Sequence, residues 1–570
     1  MIWLLACTLP FPDRTFVQNP SHDYDGDGVT EARGDCDDAE ASVFPSAAEV
    51  CDGLDNDCDA RVDDADDDVT GLESGFVDFD GDGFGDSARP LVVCSLADVT
   101  GALAAALGGD CDDAAAEVNP GAPEVCGNGL DDDCDGSTGA CGWEATNEMA
   151  SADIVLRGGE DATGSGIAAG EDVDGDGLGD FAVGVPQYDA SASTIAAGFV
   201  AVYLSGAGIV SGELLDAPIL VQASEDNARL GFSLAWTRPD ASGLVSLVAG
   251  EPSQSGATDY PGGAVHIWTS SYAYDDGAVY SSLTAGYGLG YEVADGGSLA
   301  ADASVLVNAV AGGQGDILLL PSYTDGDWIV EDSAIATLVG DVGAVLGTNA
   351  LRASDIDGDG VDDLIAGAHN YTDSGGGAFV VFHGPLDGAY TMADADLLVT
   401  AESGSLGRMV DAGDLDGDGD ADLVASNDVR GDEPGLVFGF FDSTLRRLGT
   451  FAAEGDADFT LSGPAGEPTG SGLAIVGDVD GDDTVDLAVG THRSNGENGG
   501  MYLVPGPFAG TSDLSDVGYR FIGEADARET GRVLDGLGDM NGDGRADWIV
   551  AAPAERVDGA VYVFFGREGP

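Results

Sequence analysis

The strongest constraint on this 570-residue chain is a recurring phrase, an Asp-rich loop followed at once by a short apolar run. One copy reads Asp172-Val-Asp174-Gly-Asp176-Gly-Leu-Gly-Asp180-Phe-Ala-Val-Gly184. Comparable loops begin at Asp355, Asp414, Asp478 and Asp539. Aligning Leu247-Val-Ala-Gly250 and Ala309-Val-Ala-Gly312 with Phe181–Gly184 adds two degenerate copies, starting at Arg238 and Ala300. The seven starts lie 55 to 66 residues apart. A unit of that length cannot bury its apolar face alone, so the copies must pack on one another.

Each unit combines a Gly-rich turn, the Asp loop, an apolar strand, a variable loop and a second strand. Phe199–Leu204, Ala378–Phe382 and Ala560–Phe565 are β-branched and aromatic runs of strand length. Seven four-stranded units predict an all-β fold, a seven-bladed β-propeller over residues 150–570. The last unit lacks an outer strand after Phe565, and Asp153-Ile-Val-Leu-Arg157 precedes the first repeat without a unit of its own. Strand 153–157 is therefore expected to pair into the seventh blade and cover its open edge.

All nine cysteines lie in the first 141 residues. Residues 21–142 contain two related units. The first has Asp23, Asp25, Asp27 and Glu31, then Asp35-Cys36-Asp37-Asp38, then Cys51 and Asp55-Asn-Asp57-Cys58-Asp59. The second has Asp78, Asp80, Asp82 and Asp86, then Asp110-Cys111-Asp112-Asp113, then Cys126 and Asp131-Asp-Asp-Cys134-Asp135. With few apolar residues, this region needs disulfides and bound cations in place of a core. Leu96–Leu107 is its one expected helix. Residues 1–20 read as a leader and linker, and Leu4-Leu5-Ala6-Cys7 resembles a bacterial lipobox, which would put a lipid on Cys7.

The two Cys/Asp units resemble the metal-binding Cys/Asp repeat of exported bacterial proteins. Gly166-Ile-Ala-Ala-Gly170 with the loop after it resembles the FG-GAP repeat, the calcium-binding blade of integrin α-subunit propellers and of bacterial surface proteins. That resemblance spans residues 150–570 and implies adhesion or protein binding.

The loop chemistry agrees. D-x-D-x-D-G-x-x-D offers carboxylates at positions 1, 3, 5 and 9 and a carbonyl at 7, a hard oxygen set suited to Ca²⁺. The candidate ligands are Asp172/Asp174/Asp176/Asp180, Asp355/Asp357/Asp359/Asp363, Asp414/Asp416/Asp418/Asp422 and Asp539/Asn541/Asp543/Asp547. A fifth set, Asp478/Asp480/Asp482/Asp486, has Asp483 where the turn glycine belongs. These loops predict about five Ca²⁺ in the propeller. Asp23/Asp25/Asp27/Glu31 and Asp78/Asp80/Asp82/Asp86 predict two or more in the Cys-rich region, and the Asp-x-Asp-Cys-Asp stretches offer further cation sites. An EF-hand is excluded, because position 12 of the first loop is Val183 and a strand follows. In the degenerate copies Arg238, Ser242 and Ser246, then Ala300, Ser304 and Asn308, replace ligands. Those loops are expected to fold without metal, with Arg238 near the vacated site.

The chain carries 105 Asp and Glu against 19 Arg and no Lys, a net charge of -86, which excludes nucleic acid and anionic membrane surfaces as partners. Membrane contact is expected only through the lipid on Cys7. The five histidines (22, 266, 369, 383, 492) show no metal spacing and no nucleophile beside them, so no enzyme is expected. The Arg-Gly-Asp tripeptides at 33–35 and 430–432 are within chance for this composition. The expected function is an exported, non-enzymatic, calcium-binding surface scaffold that binds a protein. A carbohydrate-binding propeller is the alternative, and an accessory domain of a hydrolase a more distant one.

Overall fold

The computed structural model describes residues 19–567 except 97–98, 100–102, 117, 121, 123–133, 135–142, 144–145, 159–162, 190–195, 206–208, 225, 240–242, 253–261, 270–276, 285, 301–303, 311–312, 323–325, 349, 372–374, 429–433, 466, 493–497, 525–528 and 554–558. Cys7, Cys126, Cys141 and the second Arg-Gly-Asp lie outside the described residues. The chain divides into two compact units, Met1–Cys141 and Gly142–Pro570. No helix among the described residues is long and apolar enough to cross a membrane.

Among its described residues the first unit has one small sheet made of Glu73–Asp78, Phe84–Val93, Leu103–Ala105 and Leu107–Asp110. The helix expected over Leu96–Leu107 does not form across its described part. Leu103–Ala105 instead pairs antiparallel with Phe76–Asp78, and Leu107 opens a strand parallel to Phe84. The helical preference of Ala and Leu amounts to only a few tenths of a kcal/mol per residue, and pairing against Phe76 outweighs it. Disulfides Cys36–Cys58, Cys51–Cys94 and Cys111–Cys134 cross-link this unit.

The second unit is an all-β propeller whose described residues form seven sheets. The innermost strands begin at Ile167, Leu234, Leu289, Leu351, Leu406, Leu473 and Val533. Each packs against the next in that order, and the last returns to the first. Small residues allow this approach. A Cβ on Gly184 would lie 1.9 Å from the Gly231 carbonyl oxygen, and one on Gly367 the same distance from that of Gly407. Between the sheets lie fully buried apolar clusters, such as Phe379, Val381, Phe438 and Phe440.

Ile154–Arg157 pairs antiparallel with Ala560–Phe564, so the N-terminal end of this unit completes its last sheet. A second closure was not legible in the sequence, since Thr146–Glu148 adds parallel to Tyr519–Ile522 of the preceding sheet. Six of the seven sheets carry such a fifth strand, taken from a neighbouring unit and set parallel on the edge. A helical turn follows each of six of these added strands and buries one apolar side chain, Met149, Leu214, Val330, Met392, Ala453 or Leu514. Trp143, Phe521, Trp548 and Phe564 pack edge-on and stacked where the ring closes.

Candidate metal centres

Each propeller loop joins the first strand of a sheet to the second, and one hydrogen-bond scheme recurs in all five. In the first loop Asp172 accepts the amides of Gly175, Asp176 and Gly177 at 2.7, 3.1 and 2.9 Å. Asp355, Asp414, Asp478 and Asp539 accept the equivalent amides at 2.7 to 3.1 Å. Positions 3 and 5 cap the amides two residues on, as Asp174 does for Asp176 at 3.2 Å and Asp176 for Leu178 at 2.9 Å. Left-handed residues at positions 4 and 6 wind the loop around these carboxylates. Where glycine is absent, Asp483 adopts φ +67° and its amide still reaches Asp478.

The ninth aspartate has a different task. Asp180 opens the second strand, is fully buried, and accepts the amides of Val173 at 2.9 Å and Ser205 at 2.8 Å. It thereby ties the loop to the end of the third strand. Asp363, Asp422, Asp486 and Asp547 repeat this bridge to Gly384, Asp442, Gly506 and Gly566. Burial raises all five carboxyls above the usual range, Asp422 to about 6 and Asp486 and Asp547 to about 7, despite the lowering by their amide bonds. A cation beside them would favour the ionised form.

The fifth position does not share that burial. Asp176, Asp359, Asp418, Asp482 and Asp543 all stand exposed at the tips of their loops. The turn itself is the reason, since position 5 sits between two left-handed residues while position 9 has already entered a strand. Each of these carboxylates spends one oxygen on the backbone. Asp359 accepts the Val361 amide at 2.8 Å and Asp418 that of Asp420 at 3.0 Å. Asp482 accepts the Thr484 amide at 2.8 Å together with the Thr484 hydroxyl, and Asp543 accepts the Arg545 amide at 2.9 Å.

Asn541, the third position of the last loop, is exposed as well. Its Oδ1 accepts the Asp543 amide at 2.9 Å, and its Nδ2 donates to Asp543 Oδ2 at 3.0 Å. Both oxygens of Asp543 are thereby engaged, and Asn541 brings no charge. This loop offers a cation less than the other four do.

The loop at 355–363 gains a group that the sequence reading passed over. His383, at the end of the third strand, puts Nδ1 3.4 Å from Asp357 Oδ2, and Asp357, Asp363 and His383 have ligand atoms within 4.8 Å of one another. Twenty residues separate His383 from Asp363, so no local spacing could reveal it.

The degenerate copies differ from the alignment at one point. Ser246 directly precedes the second strand of its sheet, in the place of Asp180, and bonds Thr269 at 2.8 Å. In the next sheet Ser304, not Asn308, occupies that place, because the loop from Gly297 is shorter. Asn308 lies within the strand, where its amide donates to the Leu346 carbonyl at 2.6 Å. Arg238 leaves its own loop. It holds Asp295 at 2.9 Å in the next sheet and Asp362 at 2.9 Å in the one after.

In the Cys-rich unit Asp23, Asp25 and Asp27 converge, with ligand atoms within 4.8 Å of one another. Asp35 and Asp38 join Asp25 at the same separation, both 4% exposed. Glu31 is exposed in a 3₁₀ turn, Glu31–Arg33. In the second repeat Asp80, Asp82, Asp110 and Asp113 crowd together, and Asp78 accepts the amides of Gly81 and Gly83. Asp86 lies in a strand and bonds the Ala88 amide at 2.8 Å. Burial and the neighbouring charges raise Asp25, Asp35, Asp80 and Asp110. Asp25, Asp27, Asp35, Asp38, Asp80, Asp82, Asp110 and Asp113 each keep one buried carboxylate oxygen without a hydrogen-bond donor. Oxygens so placed fit a cation. In the first Arg-Gly-Asp, Asp35 is buried while Arg33 and Gly34 stay exposed.

One more loop follows the scheme. Asp55 accepts the amides of Asp59 and Ala60, both at 3.0 Å, and Asp59 accepts that of Arg61 at 2.9 Å. Cys58 at φ +64° and Ala60 at φ +73° take the two left-handed places that glycine fills elsewhere. The Asp-x-Asp-x-Asp signal is present, but a disulfide cysteine and an alanine disguise the turn. Asp66, 8% exposed with Oδ2 unpartnered, closes on Asp57 and Asp59.

Two family models match parts of the chain. Residues 35–64 and 110–139 match the Cu-binding MopE metal-binding motif, and residues 163–204 and 532–564 match the FG-GAP repeat. No curated protein matches the chain. Among solved structures it is similar to one described as the Dos1 propeller, at 11% identity and a TM-score of 0.36, covering 74% of this chain and 97% of that one.

Proposed function

We propose that this chain is an exported, non-enzymatic scaffold whose propeller is rigidified by Ca²⁺ and presents its rim and loops to a protein partner at the cell surface. One observation carries the reading, the same carboxylate scheme in five loops, each ending on a buried aspartate that bridges strands. Asp172, Asp355, Asp414, Asp478 and Asp539, with the third, fifth and ninth positions of each loop, would hold the ions. A bound cation supplies positive charge that the converging carboxylates otherwise lack. The aspartates orient the loop, and the ninth ties it to the sheet.

The MopE motif carries copper in its name, but the donors favour another metal here. The clusters in the Cys-rich unit consist of carboxylates, and six of its cysteines are in disulfides. Soft thiolate or imidazole ligands would suit copper, whereas carboxylates suit Ca²⁺. The disulfides support an oxidising compartment, and hence export. A calcium-dependent pull-down from the cell envelope of the source cells tests the scaffold reading. Capture of the same protein in Ca²⁺ and in chelator would contradict calcium control, and capture of none in either would contradict the partner.

A further inference from the structure

The innermost strands of the propeller enclose an axial cavity of about 490 Å³, the size of a small-ligand site. Four of the chain's 19 arginines, Arg229, Arg352, Arg408 and Arg532, line it, where uniform usage would place about one. Its acidic share is ordinary for this chain. The lining is therefore close to neutral within a molecule of net charge -86.

The arginines occupy two levels. Arg352 lies inside, with Nε 2.8 Å from Asp411, whose other oxygen accepts the Ile475 amide at 2.8 Å. That pair is satisfied and serves the wall. At the end bearing the Gly-rich turns, opposite the Asp loops, the residue after the left-handed glycine lines the mouth in six of the seven sheets, and in four of them it is large. Phe232 follows Gly231, Tyr291 follows Gly290, Arg408 follows Gly407 and Arg532 follows Gly531. Phe232 and Tyr291 meet with ring centroids 4.7 Å apart, and Arg229 lies over Phe232 at 5.0 Å. Arg532 is steadied by Glu529 of its own turn at 2.7 Å, and Arg408 Nε lies 3.7 Å from Asp428. A guanidinium has five donors in a planar fork, so the Glu529 contact fixes the aim of Arg532 without exhausting it.

We propose that this mouth binds a carboxylate-bearing small molecule of about sugar-acid size, with the carboxylate toward Arg408 and Arg532 and the apolar face against Phe232 and Tyr291. Arginine matches a carboxylate in geometry as well as charge. The surrounding negative field disfavours an extended polyanion and leaves the confined mouth as the place where one carboxylate is accepted. This site is separate from the metal loops and does not depend on their occupancy by calcium.

Calorimetry on the full chain in Ca²⁺, with D-galacturonate, succinate and D-galactose, tests it. Saturable binding of galacturonate, with galactose about tenfold weaker or worse, is the expected result. Succinate binding as tightly as galacturonate would support the carboxylate site and assign it to a non-sugar acid. Arg532→Gln and Arg408→Gln are each expected to weaken binding about tenfold with the melting temperature and its calcium response unchanged, and Phe232→Leu to weaken the sugar acid more than succinate. No saturable binding of either acid up to about 10 mM would overturn the proposal, as would undiminished binding by the Arg408→Gln/Arg532→Gln double variant.

Discussion

Arg238 Nη1 lies 2.9 and 3.0 Å from the two carboxylate oxygens of Asp362, and through that contact the loop after Leu234–Trp236 is tied to the Asp355–Asp363 loop two sheets away. Asp362 also accepts the amide and hydroxyl of Ser298, both at 2.7 Å, and directly precedes the buried Asp363. These bonds and Arg238 hold the Asp362 carboxyl below its usual range against the opposing effect of burial. Arg238→Ala is expected to cost about 1–2 kcal/mol, because it leaves Asp295 and Asp362 without their cation while the arginine itself is half exposed. It should also loosen calcium at the 355–363 loop alone. Thermal melting and calcium titration check the two effects.

Asp483 and Ala60 hold left-handed positions that glycine occupies at no steric cost. Asp483→Gly should stabilise the propeller by about 0.5–1 kcal/mol without loss of metal, and Ala60→Gly should do the same for the Cys-rich unit. Chemical denaturation of each variant against the parent reads the difference.

Closure of the ring rests on a short segment. Trp143 is 4% exposed and packs on Trp548 at 4.8 Å and Phe521 at 5.2 Å. Trp143→Ala should cost about 3–5 kcal/mol by cavity formation, and a chain lacking residues 142–157 should lose cooperative melting. A Tm within a degree of the parent for Trp143→Ala would contradict this closure.

Asp535 faces the channel, and burial raises its carboxyl to about 7, although Arg352 opposes the shift. Its folded pKa lies above the unfolded value, so the protonated group favours the fold. That contribution is complete below about pH 4 and is lost as pH rises to about 7. In chelator, stability should fall over this window, and Asp535→Asn should flatten part of the fall and raise the Tm at pH 8. Parallel curves for parent and variant would contradict the assignment.

The sequence disclosed most where a residue's task was local. Asp172 to Asp180 form a loop because each carboxylate caps amides two to five residues on, and that is visible as spacing. The all-β propeller follows from repetition of the same unit. Spacing did not rank the candidate ligands, however. Asp418 and Asp422 are the same letter in one motif, yet the first stands exposed at the loop tip and the second is buried in a strand. Distant partners were hidden. Asp35 and Asp38 reach Asp25 by folding of a disulfide-tied chain, His383 reaches Asp357 across a whole strand, and Arg238 spans three sheets. The helix expected at Leu96–Leu107 failed for a related reason, since pairing with Phe76 is a tertiary choice that Ala and Leu propensity cannot foresee. Asn308 was misassigned because the shortened loop after Gly297 shifted the repeat.

Thermal unfolding of the full chain in millimolar Ca²⁺ and in excess chelator tests the central claim most directly. Metal that binds only the folded state adds about 4 kcal/mol per site at a thousandfold excess over its dissociation constant. Five propeller loops should then raise the Tm by roughly 10 °C or more, reversibly on readdition of Ca²⁺. Superimposable melting curves would contradict the account.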